Sequence, residues 1–226
     1  MGPSLMRQLA TAGAVVAAVL LLIGGLIPGQ PPDFNAAPLK IVAFFHDHHK
    51  SELVATILIE VAVAFLIALV AQLAVLLRDA GHRANAAVVG IAGAASLGTI
   101  AVGAALTGGL AQLAMFSGEA TAAAPLYRLI QFLQIGWAWT TLMMVLALAH
   151  AAWIGAFPRW VSGANGIIAV FIVLAGISIR GSGAFAAGTG AFCVIGAIAF
   201  LVWVLHLGVL FWFQPQASAA PAVAPA

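Results

Sequence analysis

The chain has 226 residues, 64% of them hydrophobic and 6% charged, with a net charge of +2 and a mean hydropathy of +1.16. Soluble domains carry roughly 25% charged residues, so this chain cannot cover a water-facing surface and is expected to be an integral membrane protein. The small net charge argues against a nucleic-acid partner, and the single cysteine, Cys193, excludes an intramolecular disulfide and a site built from several thiolates.

Six apolar runs, each about as long as a bilayer is thick, predict an all-α, polytopic transmembrane bundle of six helices in one domain. The first runs from about Ala10 to Ile27, follows Arg7 and ends at Pro28-Gly29-Gln30-Pro31-Pro32. It reads as an uncleaved anchor: it is long for the apolar core of a signal peptide, and no clear small-residue cleavage site follows. Within the connection that comes next, Pro38 to Phe45 reads as a short amphipathic helix at the membrane surface. The second span runs from about Leu53 to Leu77, and Arg78-Asp79-Ala80-Gly81-His82-Arg83 is a tight polar turn. The third runs from about Asn85 to Leu106. Residues 108–125 read as a loop with apolar contacts to the membrane, and Pro125 suits the first turn of the fourth span, about Leu126 to Ala156. Phe157-Pro158-Arg159-Trp160 is a turn. The fifth span covers about Val161 to Ile179 and the sixth about Thr189 to Phe213, before an extended Ala/Pro/Ser tail over 214–226.

Runs of this length exclude a barrel, whose strands alternate over about 10 residues. An even helix number puts both termini on one side. With the termini in a bacterial cytoplasm, Arg7, Arg78, Arg83 and Arg159 lie inside, whereas Lys40, Lys50, Arg128 and Arg180 lie outside. Trp153, Trp160 and Trp212 then form an aromatic belt at the inner face, and Trp137, Trp139 and Trp203 lie deeper. Ala86, Gly90, Ala94 and Gly98 recur every four residues on the third span, a ridge expected to face the bundle interior.

Polar residues inside apolar runs mark candidate sites. Glu60 lies about 10 Å of helix rise into the second span, where an ionised carboxylate costs a few kcal/mol and should be neutral, paired or facing a wet cavity. Arg128, Gln131 and Gln134 begin the fourth span on the same side, and Arg180 ends the fifth. These five residues are candidates for one polar ligand site, or for a structural network with snorkelling arginines. His150 and His206 sit at equal depth on two spans, so a haem b iron held between them is an alternative; hydrogen bonding across helices is the plainer role. His46, His48 and His49, with Asp47, are competent surface metal ligands or a solvated turn. No phosphate-cradling glycine loop, zincin helix or serine elbow is present.

The Pro-Gly end of the first helix, the following Pro31-Pro32-Asp33 and Ala43-Phe44-Phe45 before a polar run make a recognisable series with the charged turn at Arg78. Phe157-Pro158-Arg159-Trp160 and Gly181-Ser182-Gly183-Ala184-Phe185 continue it. In this order they resemble a loose group of six-helix bacterial membrane proteins of unknown activity; the His-rich run departs from the group's pattern. The resemblance implies a six-helix fold and a membrane location, and no activity. The leading functional expectation is a non-enzymatic binding, transport or accessory protein for a lipophilic or small ligand, with the bilayer and other membrane subunits as partners. The competing class is a membrane redox protein with haem on His150 and His206.

Overall fold

The computed structural model describes residues 3–116, 120–178, 183–187 and 189–213. Arg180 and the 214–226 tail lie outside the described residues. Seven helices are present among them: α1 (Pro3–Leu26), α2 (Pro38–Asp47), α3 (His49–Asp79), α4 (Arg83–Leu113), α5 (Ala120–Trp153), α6 (Arg159–Gly176) and α7 (Ala191–Phe213). Six are long and apolar enough to cross a membrane, and the chain is a multi-pass membrane protein. Helices dominate because a helix satisfies its own backbone donors and acceptors where no water can.

Each long helix packs chiefly on two others, in the order α1–α3–α4–α5–α6–α7 and back to α1, so the bundle closes as a ring. Neighbours run antiparallel: Gly24 near the end of α1 meets Ala55 and Ile59 near the start of α3, and Gly208 near the end of α7 meets Thr11 and Ala14 near the start of α1. The ring interior is filled by one cluster that includes Leu66, Leu73, Met144, Leu148, Ile172, Trp203 and Leu207. A second cluster sits at one end, where Ile41 and Phe45, one turn apart on α2, bury against Leu110, Ala124, Tyr127 and Ile130. Leu39 on the other face of α2 is exposed, as expected of an amphipathic surface helix.

At the end away from α2, two turns share one device. Gly81 and Gly155 adopt φ of +87° and +98°, and the residue after each closes a six-residue turn: His82 N–H donates to Leu77 O at 2.8 Å and Ala156 N–H to Ala151 O at 2.9 Å. This left-handed helix stop favours glycine because a Cβ is strained there. Trp153, Trp160 and Trp212 are exposed at this same end, consistent with an aromatic belt.

α3 and α4 exceed their sequence-read bounds at both ends and α1 and α5 at their starts, whereas α6 stops short of Ile179 and α7 begins after Thr189. α4 continues through Gly108 and Gly109 to Leu113 because a Cβ on Gly108 would come within 3.0 Å of Thr56 Oγ1, so glycine here permits close contact with α3 rather than ending the helix. α5 begins at Ala120, which leaves Pro125 inside the helix rather than in its first turn. The small-residue ridge on α4 also differs from expectation. Ala86 is buried, but Ala94 and Gly98 are exposed and border a groove of about 390 Å³ between α3 and α4. Gly90 is half-buried, and a Cβ there would make ordinary contact with Ala74; the tightest approach in this stretch is at Gly93, whose Cβ would collide with Val70 and stand 3.1 Å from Met144 Sδ. The four-residue period misplaces the second half of the ridge because alanine and glycine occur on every face.

Where lipid surrounds a bundle, apolar side chains gain little by leaving it, so close backbone approach does more of the holding. A Cβ on Gly196 would collide with Ala175 Cβ on α6, whereas one on Gly98 meets nothing within 4 Å. Gly196→Val is therefore expected to destabilise the protein by about 1–3 kcal/mol, and Gly98→Ala to leave it unchanged or slightly stabilised. Thermal unfolding in detergent measures both.

Candidate functional site

A cavity of about 270 Å³ opens at the α2 end, between the two clusters. Phe45, Tyr127 and Ile130 of the terminal cluster line one side. Ile59, Ile100 and Trp137, which pack on the central cluster, line the other. Gly24, Gly25, Pro28, Gly29 and Pro31 bring in the end of α1, so four helices of the ring and α2 enclose the space. Its size is near the lower end of the roughly 300–1,000 Å³ usual for ligand pockets.

Three polar groups on this wall are buried and lack a hydrogen-bond partner among the described residues; Glu52 has an electrostatic interaction with His48. Glu52 on the first turn of α3 is 5% exposed, and its carboxyl makes no hydrogen bond or ion pair among the described residues. Gln131 on α5 is 4% exposed, with Oε1 unpartnered. Trp137 Nε1, also on α5, is buried and has no acceptor. Only four buried side-chain atoms among the described residues are orphaned in this way, and two of them, on Gln131 and Trp137, line this one cavity. A buried polar group left unpaired costs about 1–3 kcal/mol, which makes the coincidence informative.

The orientation of Gln131 follows from its neighbour. Tyr127 donates its hydroxyl proton to Pro32 O, so towards Gln131, which lies beside it, it can only accept. The amide must then turn its NH₂ to Tyr127, which leaves Oε1 free. The Tyr127–Pro32 bond, with the edge-on contact of Phe34 and Phe132 at 5.4 Å, ties the α1–α2 connection to α5 over the cavity.

Of the five residues expected to form one polar site, Gln131 and Gln134 line the cavity. Glu60 is half-buried on α3, away from the lining, and has no partner among the described residues. Arg128 is exposed and does not line it; Arg180 is not described. Glu52 escapes the sequence reading because the second span is expected to begin at about Leu53, whereas α3 begins four residues earlier, at His49. The available signal was the helical spacing of Glu52, Ala55, Thr56 and Ile59, which share one face of α3.

The two deep histidines engage separate helix pairs. His150 is exposed on α5, its Nδ1 at 3.2 Å from Asn85 Nδ2 and 3.3 Å from Asn85 Oδ1 on α4. His206 on α7 lies 3.4 Å from Asn165 Nδ2 on α6, edge-on to Trp160. Since α5 and α7 are not neighbours in the ring, nothing in this geometry favours a haem between them. The three surface histidines also diverge. His46 is exposed beside Asp47 at 3.3 Å, His48 binds Phe44 O at 2.9 Å and stacks on its ring, and His49 Nε2 is buried without a partner. No group of three or more His, Cys, Asp or Glu able to hold a metal gathers among the described residues.

Asn165 is the best-satisfied polar residue of the bundle. It is fully buried, donates to Val161 O at 2.8 Å and accepts from Trp203 Nε1 at 2.9 Å. Asn165→Leu would orphan the buried Trp203 N–H and is expected to cost about 1–2 kcal/mol, and Asn85→Leu, whose partner is exposed, less than about 1 kcal/mol. Thermal unfolding in detergent separates the two.

No family model matches the chain, no curated protein is similar to it, and no solved structure matches its fold.

Proposed function

We propose that the chain is a non-enzymatic membrane protein that binds a small lipophilic ligand in the cavity at the α2 end, either to carry it or as an accessory subunit of a larger membrane complex. The observation that supports this most is the meeting of the Glu52 carboxyl, Gln131 Oε1 and Trp137 Nε1, none of them hydrogen-bonded among the described residues, on the wall of one cavity. Where helices meet, the chain pairs fully buried polar side chains, Asn165 with Trp203 and Ser96 with Thr141 at 2.6 Å, so buried polar groups left open at one place ask for a partner from outside.

Depth supports an amphiphile. From Trp153 in the aromatic belt, Gln131 is about 33 Å of rise along α5 and Trp137 about 24 Å, against a hydrocarbon core about 30 Å thick. The cavity therefore straddles the far interface, with Glu52 and Gln131 at headgroup level and Trp137 within the hydrocarbon. We place the chain in a bacterial cytoplasmic membrane with both termini inside. The concentration of Arg78, Arg83 and Arg159 in two short turns at the end away from α2 supports that orientation, and the resemblance to six-helix bacterial proteins supports the membrane.

Gly103 lines the cavity, and a Cβ there meets nothing within 4 Å. Gly103→Leu should fill the space without disturbing the bundle. The full chain in detergent is titrated with hexylammonium, 1-hexanol and hexyl phosphate by native mass spectrometry. At least one probe is expected to bind, with affinity falling at least tenfold in Gly103→Leu while the melting temperature holds. Binding by none of them, or equal binding by wild type and variant, overturns the reading.

A further inference from the structure

The buried wall of the cavity offers more hydrogen-bond acceptors than donors. Thr56 donates its hydroxyl proton to Ala104 O at 3.2 Å, Thr99 to Ala95 O at 2.8 Å and Thr107 to Gly103 O at 2.9 Å. Tyr127 donates to Pro32 O. All four hydroxyls line the cavity, and each has committed its only proton, so towards the space they can offer only lone pairs. Gln131 offers its free Oε1 and Glu52 its carboxyl oxygens. Trp137 Nε1–H is the one buried free donor there, and the exposed Gln134 amide, which can donate or accept, lies at the rim. No lysine or arginine lines the space.

That polarity selects a ligand class. An anion such as a phosphate would find a carboxyl and a row of lone pairs and no cation. A metal ion such as calcium takes 6–8 oxygens at roughly 2.3–2.6 Å, whereas much of this wall is aromatic and aliphatic. An organic ammonium matches both properties: its N–H groups donate to acceptors, its charge answers the carboxylate, and ring faces attract it. Phe45, Tyr127 and Trp137 supply the rings.

We infer that the cavity takes an alkylammonium compound, with its nitrogen between the Glu52 carboxyl and Gln131 Oε1 and a hydrogen-bond acceptor farther along its body facing Trp137 Nε1. This rests on the cavity being a ligand site, as proposed above, and adds the chemistry of what enters. Gln131 and Trp137 are six residues apart on α5, about 9 Å of rise, so a body of about six carbons spans the two levels. The nitrogen sits at the headgroup level and the chain reaches into the hydrocarbon.

Four probes of equal chain length test this on the full chain in detergent, by native mass spectrometry and by thermal shift: hexylammonium, 6-amino-1-hexanol, 1-hexanol and hexyl phosphate. Hexylammonium is expected to bind at least tenfold tighter than 1-hexanol, and hexyl phosphate weakest. Glu52→Gln should cost hexylammonium at least tenfold and leave 1-hexanol within about twofold. The amino alcohol should gain several-fold over hexylammonium, and Trp137→Phe should abolish that gain. Should Glu52→Gln fail to fold, the ranking of the probes on the wild-type chain decides. If 1-hexanol binds as tightly as hexylammonium and both are lost in Gly103→Leu, the ammonium inference falls and the cavity stands as a ligand site. An unchanged hexylammonium affinity in a folded Glu52→Gln protein also overturns the inference. No gain for the amino alcohol overturns its acceptor half. If no probe binds, the inference and the proposed function fall together.

Discussion

Close backbone approach at glycine and alanine holds this ring of helices together. In hydrocarbon, a leucine gains almost nothing by exchanging lipid for another leucine, so association depends on dense contact and on hydrogen bonds between helices. Gly196 against Ala175, Gly208 against Ala14 and Gly93 against Val70 bring helix axes near enough for that contact. Thr11 to Gly208 O, Thr56 to Ala104 O and Ser96 to Thr141 then cross the gaps that close approach leaves narrow. A larger residue at any of these glycines would hold two helices apart and lengthen the bonds beside it.

The same constraint explains where the cavity lies. The central cluster and the α2 cluster are packed separately, one by the six long helices and the other by α2 settling on α4 and α5. α3, α4 and α5, at 31, 31 and 34 residues, outrun α6 at 18 residues. Helices of such unequal length cannot close one continuous core over their whole height. The gap falls at the α2 end, and the α1–α2 connection, tied down through Tyr127 and Phe132, covers it.

What makes that gap chemically informative is the contrast with the other end of the bundle. There Asn165 meets Trp203, Val161 and His206 in one buried network, and Asn85 meets His150. Low dielectric makes an unpaired polar group expensive, and the chain respects this where helices meet. At the cavity it leaves a carboxyl, an amide oxygen and an indole N–H open. Because the wall carries a carboxyl and neither lysine nor arginine, it has a preferred charge as well as a shape.

The sequence by itself determined the solvent and the secondary structure. Twenty-residue apolar runs leave no other medium and no other element, so the six spans, the amphipathic helix after the first and the exposed tryptophans at helix ends were all legible in it. Gln131 and Gln134 were legible too, as amides where apolar residues are expected. Only the tertiary structure decided which faces turn inward. A transmembrane helix is apolar all round, so its pattern carries little information about rotation: of the expected ridge Ala94 and Gly98 face outward, and Gly93 makes the close approach. Helix rotation likewise took Glu60 away from the cavity and turned Glu52 into it.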